Sequence, residues 1–253
     1  MLLSKRVAII TGGARGIGRA IAIKFAEQGC ITVIADLRAK EAADTLAQVA
    51  SKKSEGLYVE CDVSASAQVQ AMVDRAISKF GRIDILVNDA AVSPPERPFV
   101  DITEEQWDRV LAVNLKGVFL CCKAVVPHMK KREYGKIINV GSVGAIAPST
   151  VIADYCVAKS GVLMLTQCLA MDVAEHNICV NALLPGITRT DFHDAIRPKG
   201  TDKDEYFASL GKTIPMGRVA APEDIADVAV FLASDLSRYV TGDRILASGG
   251  LSR

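Results

Sequence analysis

The sequence predicts an α/β fold, in which a doubly wound parallel sheet of about seven strands is flanked by helices and forms a single domain over residues 1–253. Three observations predict it. Short runs rich in β-branched residues alternate with longer amphipathic stretches throughout the chain. The short runs are almost continuously apolar, which is typical of parallel strands covered on both faces. No internal repeat or low-complexity tail indicates a second domain.

The predicted elements alternate as strand and helix, which builds right-handed βαβ units. Two helix starts carry capping signals: Thr103 with Gln106 three residues later, and Ser64 or Ser66. The strands are predicted at 6–10, 31–35, 56–60, 83–87, 136–140, 178–184 and 244–247. The helices are predicted near 16–28, 39–53, 66–80, 103–131, 153–175 and 222–233.

One segment interrupts the alternation. At about 186–221 no strand is predicted, and prolines and glycines recur. This insertion follows the carboxyl end of the sixth strand, and open α/β sheets bind their ligands at that edge. Its apolar residues Phe192, Tyr206 and Leu210 lead us to interpret it as a substrate lid. His193, in the same segment, is expected to be an exposed loop residue.

Composition argues against several classes of partner. With 30 basic and 29 acidic residues the net charge is +1, so we expect no nucleic acid and no acidic membrane as partner. No uninterrupted apolar run is long enough to span a membrane, and the start MLLSKRVAII does not resemble a targeting segment. The seven cysteines are never spaced C-x-x-C and the three histidines lie far apart. We therefore expect reduced, mostly buried thiols, a cytoplasmic protein and no metal site.

A glycine-rich stretch, TGGARGIG, lies between the first predicted strand and the first predicted helix. Its glycines Gly12, Gly16 and Gly18 are spaced G-x-x-x-G-x-G. Glycine permits a tight turn, and the following helix offers free N–H groups to a pyrophosphate. A glycine-rich turn without a ligand is the alternative, but the position in the first βαβ unit favours a dinucleotide site.

The end of the second strand indicates which dinucleotide binds. A carboxylate at Asp36 can accept hydrogen bonds from the ribose hydroxyls of NAD, and it would repel a 2′-phosphate. Arg15 and Arg38 argue the other way, since either could neutralise that phosphate. We predict NAD, with NADP as the less favoured cofactor. Asp62 and Val63 follow the third strand, where they could bond the adenine edge.

The stretch DYCVAK places Tyr155 four residues before Lys159 in a predicted helix, so the two side chains share one face. Alone, this pair reads as a surface contact. The chain also contains, in order, TGGARGIG with Asp36, CDV, NDAA, AVNLKG, NVGSVG, YCVAK, PGITRT and TGDRILASGG. With these motifs in this order and on these elements, the chain resembles the short-chain dehydrogenase/reductase family over essentially its whole length.

The resemblance implies a Rossmann-type sheet and hydride transfer between a nicotinamide and a secondary alcohol or ketone, a small-molecule substrate. It also implies four catalytic residues. Tyr155 is the general acid/base; its phenol has an ordinary pKa of about 10, which Lys159 and a cationic nicotinamide would lower. Ser142, thirteen residues earlier, holds the substrate oxygen. Asn114 holds a water that links Lys159 to solvent; the alternative is a helix-interior asparagine that bonds its own backbone.

The resemblance also implies the contacts of the cofactor. The backbone of Thr188 and the hydroxyl of Thr190 bond the carboxamide, and Lys159 contacts the nicotinamide ribose. The complete expected set is Gly12, Arg15, Gly16, Ile17, Gly18, Asp36, Leu37, Asp62, Val63, Asn88, Ala90, Tyr155, Lys159, Pro185, Gly186, Thr188 and Thr190.

The chain departs from the family pattern after the fourth strand, where N-N-A-G is common. Asp89 adds a possible negative charge, and the methyl group of Ala91 replaces a glycine and is tolerated only if φ is negative. The following SPPERPF, at 93–99, could rim the substrate pocket. Asp154 receives no catalytic role, because adjacent residues do not share a helix face with one another.

Two alternatives stay open. One is a 3-oxoacyl-thioester reductase; Asp36 counts against it, because such family members usually prefer NADPH. The other is a non-catalytic dinucleotide sensor. The resemblance further implies a homotetramer that pairs through the helices near 103–131 and 153–175. The apolar residues Val118, Phe119, Leu163 and Leu169 fit such pairing, although core packing explains them equally.

Overall fold

The computed structural model describes residues 1–251. Its centre is one sheet of seven parallel strands in the order β3-β2-β1-β4-β5-β6-β7, which confirms the predicted fold class. The order reverses between β1 and β4, which creates the crevice in which doubly wound sheets bind ligands. The strands are β1 (Val7–Thr11), β2 (Ile31–Asp36), β3 (Gly56–Glu60), β4 (Ile85–Asn88), β5 (Gly135–Val140), β6 (Ile178–Pro185) and β7 (Arg244–Ala247).

Eight α-helices are described. They are α1 (Gly16–Glu27), α2 (Ala39–Ser51), α3 (Ser66–Phe80), α4 (Glu104–Leu111), α5 (Gly117–Lys130), α6 (Ala153–Val173), α7 (Lys203–Gly211) and α8 (Pro222–Ala233). The single helix predicted at 103–131 is divided by a π-helical segment, Ala112–Lys116. Such widened turns frequently occur at functional sites.

The two faces of the sheet are buried separately. Val7 and Ile9 of β1 point to the layer formed by α3, α5 and α6, whereas Ala8 and Ile10 point to the layer formed by α1, α2 and α8. Successive strand residues alternate between faces, so both sets must be apolar. This explains the continuous apolar runs in the sequence.

The predicted helix caps have different outcomes. The Thr103 cap is confirmed: its Oγ1 accepts from the Gln106 N–H at 3.3 Å, and the Gln106 side chain accepts from the Thr103 N–H at 3.1 Å. The cap at Ser64 or Ser66 is wrong, because α3 begins after Ala65 without a side-chain cap. The Ser64 hydroxyl donates to the Asp62 carboxylate instead.

The insertion at 186–221 contains α7 and a short 3₁₀ helix, Asp191–Ala195. Its two ends meet at an isolated β-bridge between Thr188 and Ala220. His193 is not exposed as expected. It is partly buried, with its ring centroid 5.3 Å from that of Phe207 and its Nδ1 3.4 Å from the Tyr206 hydroxyl.

Two helical stretches, Glu104–Lys130 and Ala153–His176, are long and apolar enough to cross a membrane by length and composition alone. That is weak evidence, because both pack against the sheet as core helices do. All seven cysteines are free thiols, and only Cys168 is exposed.

Candidate functional site

A cleft of about 1310 Å³ opens at the carboxyl edge of the sheet, beside the reversal of strand order. Its volume exceeds the ~300–1,000 Å³ of ordinary small-molecule pockets, so it has room for a dinucleotide and a second molecule. The predicted site residues that line it are Gly12, Arg15, Gly16, Ile17, Asp36, Leu37, Asp62, Val63, Ala90, Ser142, Tyr155, Lys159, Pro185, Gly186, Thr188 and Thr190. Gly18, Asn88 and Asn114 do not line it.

The glycine-rich turn is shaped for a phosphate. Gly12 and Gly16 have φ of +70° and +57°, a left-handed conformation that favours glycine. A Cβ on Gly18 would lie 2.4 Å from the Gly12 carbonyl oxygen, so Gly18 permits α1 to pack closely beneath the turn. No side chain caps the start of α1. The Gly18 N–H interacts with the Asp89 carboxylate, whereas the other N–H groups of this first turn can serve an anion, which fits a pyrophosphate.

The Asp36 carboxylate is held at the end of β2. One oxygen accepts from the Ala14 N–H at 3.0 Å, and the other accepts from the Arg38 N–H at 3.0 Å. The Arg38 guanidinium lies 3.5 Å from the Glu41 carboxylate. Arg15 lies 3.9 Å from Asp191 across the cleft. Both arginines that could neutralise a 2′-phosphate are thus shared with other carboxylates.

Next to β3, Asp62 is fixed by its own turn. Its Oδ1 accepts from the N–H and the hydroxyl of Ser64 at 2.9 and 2.7 Å, and these bonds hold the pKa of Asp62 below its ordinary value. Arg109 of α4 lines the same end of the cleft and further lowers the pKa of Asp62. Sequence reasoning missed Arg109, because nothing near it in the chain indicates which cleft it faces.

Tyr155, Lys159 and Ser142 line the same cleft, and the Ser142 hydroxyl lies within hydrogen-bonding reach of the Tyr155 phenol. Tyr155 and Lys159 are buried on α6, with only 8% and 3% of their surfaces exposed. The Lys159 Nζ lies 5.8 Å from the Tyr155 ring centroid and donates to the Val140 carbonyl at 2.7 Å. Ser142 follows β5, and its Oγ accepts from the Gly144 N–H at 3.0 Å. The Phe192 ring covers Tyr155 at a centroid distance of 5.3 Å.

The pKa of the Tyr155 phenol is raised above its ordinary value in the protein alone. Burial is the main cause, Asp89 adds to it, and the Ser142 hydroxyl acts in the opposite direction. From the sequence we expected Lys159 and a cationic nicotinamide to lower the pKa of Tyr155. The chain alone does not produce that lowered pKa. Burial lowers the pKa of Lys159, and the negative charge of Asp89 works against that lowering.

The two departures after β4 have different consequences. The Asp89 carboxylate oxygen Oδ2 lies 2.8 Å from the position of a Cβ on Gly18, so it sits against the first turn of α1. Burial raises the pKa of Asp89, and Lys159 opposes this. Ala91 lines the cleft, and it is not among the described residues with positive φ. Its methyl group therefore costs no backbone strain.

Two predicted residues lie outside the cleft. The Asn88 amide is buried and donates to the Asn139 side chain at 2.8 Å, so it ties β4 to β5 instead of contacting the cleft. The Asn114 side chain does not hydrogen-bond the backbone of its own helix, and it is not exposed at the surface. Its Oδ1 accepts from the Val92 N–H at 2.8 Å and its Nδ2 donates to the Val92 carbonyl at 3.0 Å. Asn114 thereby fixes the loop that follows β4.

Within residues 1–251, no group of three or more His, Cys, Asp and Glu side chains is placed to hold a metal ion. Sequence reasoning also missed a buried ion pair at the edge of the site, between Arg97 and Asp154. The 57 residues that separate its partners hide the pairing in the sequence.

Known proteins match this chain over nearly its whole length. A family model described as Enoyl-(Acyl carrier protein) reductase matches residues 12–252. The chain is 39% identical to the 3-oxoacyl-(acyl-carrier-protein) reductase FabG of Thermotoga maritima, over 99% of both chains. It is 38% identical to 3beta-hydroxysteroid dehydrogenase 1 of Eggerthella lenta, over 99% of this chain and 95% of that one. The crystal structure of levodione reductase matches with a TM-score of 0.92 and 30% identity, over 98% of both chains.

Proposed function

This chain belongs to the short-chain dehydrogenase/reductase family, whose members transfer a hydride between a nicotinamide dinucleotide and a secondary alcohol or ketone, and we propose that it does so with NAD and with Tyr155 as its acid/base. Because its relatives are named oxidoreductases, the alternative of a non-catalytic sensor is set aside. The observation that carries the proposal is the convergence of Tyr155, Lys159 and Ser142 in one cleft beside an uncapped helix start.

The proton chemistry follows from the surroundings of Tyr155. When bound, the nicotinamide supplies or accepts the hydride. Tyr155 takes the alcohol proton in oxidation and returns it in reduction, while the Ser142 hydroxyl bonds the substrate oxygen. Burial alone raises the pKa of the phenol. Positive charge from Lys159 and from an oxidised nicotinamide acts in the opposite direction, so the phenol ionises readily only in the loaded site.

The preference for NAD rests on Asp36. Its carboxylate lines the cleft at the end of β2, where the adenosine ribose lies in proteins of this architecture. A 2′-phosphate there would meet a fixed negative charge, and the nearby Arg15 and Arg38 already face Asp191 and Glu41. Gly12, Gly16 and the first turn of α1 would hold the pyrophosphate, and Thr188 and Thr190 the carboxamide.

We propose that Asn114 supports proton transfer indirectly, by fixing the main-chain groups around it. Its side chain is committed to Val92, and it lies within the π-helical segment. A widened turn leaves main-chain groups free to bind water. Replacing Asn114 by Leu is expected to slow proton exchange, which would appear as a larger solvent isotope effect on turnover; an unchanged effect would remove Asn114 from the relay.

The central experiment is Tyr155→Phe, compared with Tyr134→Phe. Tyr134 does not line the cleft, and its hydroxyl donates to the Asp235 carboxylate at 3.2 Å. A panel of secondary alcohols is screened with NAD by following NADH absorbance. Tyr155→Phe should abolish turnover and leave NADH affinity nearly intact, while Tyr134→Phe should keep both. Persistent turnover in Tyr155→Phe would refute the proposed role.

A second candidate is the reduction of 3-oxoacyl thioesters, favoured by the 39% identity to the reductase of Thermotoga maritima. Acetoacetyl-CoA is the test substrate, with NADH and NADPH compared at equal concentration. Faster reduction of acetoacetyl-CoA than of any simple ketone would favour this candidate, and faster reduction with NADPH would contradict the role given to Asp36.

We also propose a homotetramer and a cytoplasmic location. An apolar groove on α4, α5 and α6 is lined by Leu111, Leu115, Phe119 and Leu165. Val118, expected at this surface, is instead a core residue. Covering the groove with a second copy would remove its apolar area from water. Light scattering that reports a monomer would refute the assembly, and cell fractionation tests the location.

The insertion at 186–221 is proposed to act as the lid. Phe192, His193, Ile196, Tyr206 and Leu210 line the cleft from this side. Hydrogen exchange in the insertion should slow when NADH and a substrate analogue are both added. An insertion equally protected with and without ligands would not be a moving lid.

A further inference from the structure

Asp154 is a buried carboxylate beside the proposed acid/base. It lies in the first turn of α6, one residue before Tyr155, and none of its side chain is exposed. Its Oδ2 is 2.5 Å from the Nη2 of Arg97, whose side chain is only 10% exposed. Its Oδ1 accepts from the Tyr155 N–H at 2.9 Å. The carboxylate thus has contacts on both oxygens, one to an arginine and one to the backbone of Tyr155.

Arg97 joins this helix start to two loops. Its Nη1 donates to the Pro95 carbonyl at 2.8 Å, within the loop that follows β4. Its backbone N–H donates to the Val151 carbonyl at 2.9 Å, within the loop between Ser142 and α6. One side chain and its backbone therefore connect residues 93–98, residues 147–152 and the first turn of α6.

Residues of both loops line the cleft that contains Tyr155. Val92 and Ser93 line it from the first loop, and Ser149 and Ile152 line it from the second. Val92 and Ile152 also pack against the small apolar cluster that contains Tyr155. A displacement of either loop would therefore alter the space in which a substrate carbonyl meets the phenol.

Stability alone is a weak reason to keep such a pair. Burying two charges costs desolvation that their attraction only partly offsets, and apolar replacements of similar size are often as stable. Within residues 1–251 the buried Nε of Arg97 also has no hydrogen-bond partner, which adds to that cost. What an ion pair provides, and an apolar contact does not, is one defined geometry between the segments it joins.

We propose that Arg97 and Asp154 are positioning residues of the catalytic site: their ion pair fixes both substrate-side loops to the helix turn that carries Tyr155. The inference rests on the proposed function of Tyr155. Neither side chain touches the reacting atoms, so the pair acts through the placement of the phenol and of the loops.

The test compares Asp154→Asn with a matched control, Asp84→Asn. Asp84 is equally buried, pairs with Arg82 and accepts from the Val7 N–H at 2.9 Å, but it lies at the amino end of β4, away from the cleft. Both variants should lower the thermal midpoint. Hydrogen exchange, which requires no substrate, should accelerate only in Asp154→Asn, at the amides of Ser93, Glu96 and Arg97 and at the non-proline amides of 147–156. Unchanged exchange in these segments would overturn the proposal.

Turnover supplies the second readout, with NADH and either cyclohexanone or acetoacetyl-CoA as the probe. Asp154→Asn should lower kcat at least about tenfold, because a misplacement of about 1 Å can cost roughly a hundredfold in rate. The affinity of Asp154→Asn for NADH should stay within about twofold of wild type, since the pair lies away from the glycine-rich turn. At temperatures below its unfolding midpoint, Asp84→Asn should have the kcat of wild type. Equal kcat in both variants would reduce the pair to a structural contact.

A double variant separates placement from stability. Arg97→Met with Asp154→Leu removes both charges and should recover the thermal midpoint. If the pair positions the loops, exchange stays fast and kcat stays low in this variant; recovery of both would overturn the proposal. If Tyr155 is not the acid/base, turnover will survive in Tyr155→Phe. That outcome is independent of the hydrogen-exchange measurement, which tests the ion pair by itself.

Discussion

The Nζ of Lys159 lies 5.8 Å from the centroid of the Tyr155 ring, and both side chains are buried. A protonated lysine this close to the ring favours the charged form of the phenol, as a nearby opposite charge does in general. The lysine is held there by the Val140 carbonyl, so the distance is set by β5 as well as by α6. Burial raises the pKa of Tyr155 and the Ser142 hydroxyl opposes it. We expect the positive charge of Lys159 to act in the same direction as Ser142.

Lys159→Met should slow alcohol oxidation about a hundredfold at neutral pH, in the range usual for loss of assistance to a general base. The physical reason is that the phenolate loses its neighbouring cation, which raises the pKa of the base, so the ascending, low-pH limb of the oxidation profile moves to higher pH. The pH profile of kcat with NAD measures it. Lys136→Met is the control, because Lys136 is similarly buried at 2% exposure but lies outside the cleft. Equal losses in both variants would contradict the prediction.

The pH dependence of dinucleotide affinity should depend on Asp89. Burial raises the pKa of the Asp89 carboxyl group. Below that raised pKa the group is neutral, and above it the group carries a negative charge. The charged form faces the first turn of α1, where a pyrophosphate would bind, and repels it. Affinity for NADH should therefore fall as pH rises through the raised pKa, by about tenfold.

Asp89→Asn should remove that dependence and bind NADH more tightly at alkaline pH. NADH fluorescence titrations between about pH 5 and pH 9 measure it, over the range in which a raised carboxyl pKa lies. Asp101→Asn is the control, since Asp101 is exposed and outside the cleft. A profile that is the same in wild type and Asp89→Asn would assign the titration to another group.

Local patterns in the sequence were sufficient for most of the fold. The bounds of β3, β7, α3 and α8 agree with prediction, because apolar runs and breakers such as Pro222 mark them directly. The π-helical segment Ala112–Lys116 was missed, since one widened turn leaves the apolar spacing of a long helix almost unchanged.

The site was less accessible to sequence reasoning wherever a partner is distant in the chain. Tyr155 and Lys159 share a helix face, so their proximity could be predicted. The contact of Asn114 with Val92 spans 22 residues, and that of Arg97 with Asp154 spans 57. Such pairs depend on how loops cross the sheet edge, and no periodic pattern encodes that crossing.

Asp36→Asn should shift cofactor preference toward NADP. The substitution removes the negative charge and keeps an acceptor oxygen for the Ala14 or Arg38 N–H. The ratio of kcat/KM for NADPH to that for NADH should rise about tenfold or more, since a close charge pair is worth about 1 to 4 kcal/mol. Asp44→Asn on the exposed face of α2 should leave the ratio unchanged. A constant ratio in Asp36→Asn would show that Asp36 does not select the cofactor.

Gly18→Ala tests whether close packing under the glycine-rich turn is needed for dinucleotide binding. The added methyl group would lie 2.4 Å from the Gly12 carbonyl oxygen and 2.8 Å from the Asp89 carboxylate, so the turn must move. NADH affinity should fall at least about tenfold, and overpacking of this kind costs about 1–3 kcal/mol of stability. Gly81→Ala is the control: its φ of +72° strains the backbone, but no atom lies within 4 Å of the new methyl group. It should lower stability by about 1 kcal/mol and leave NADH binding intact. If Gly18→Ala binds NADH as tightly as Gly81→Ala does, the turn does not need its present shape to hold the pyrophosphate.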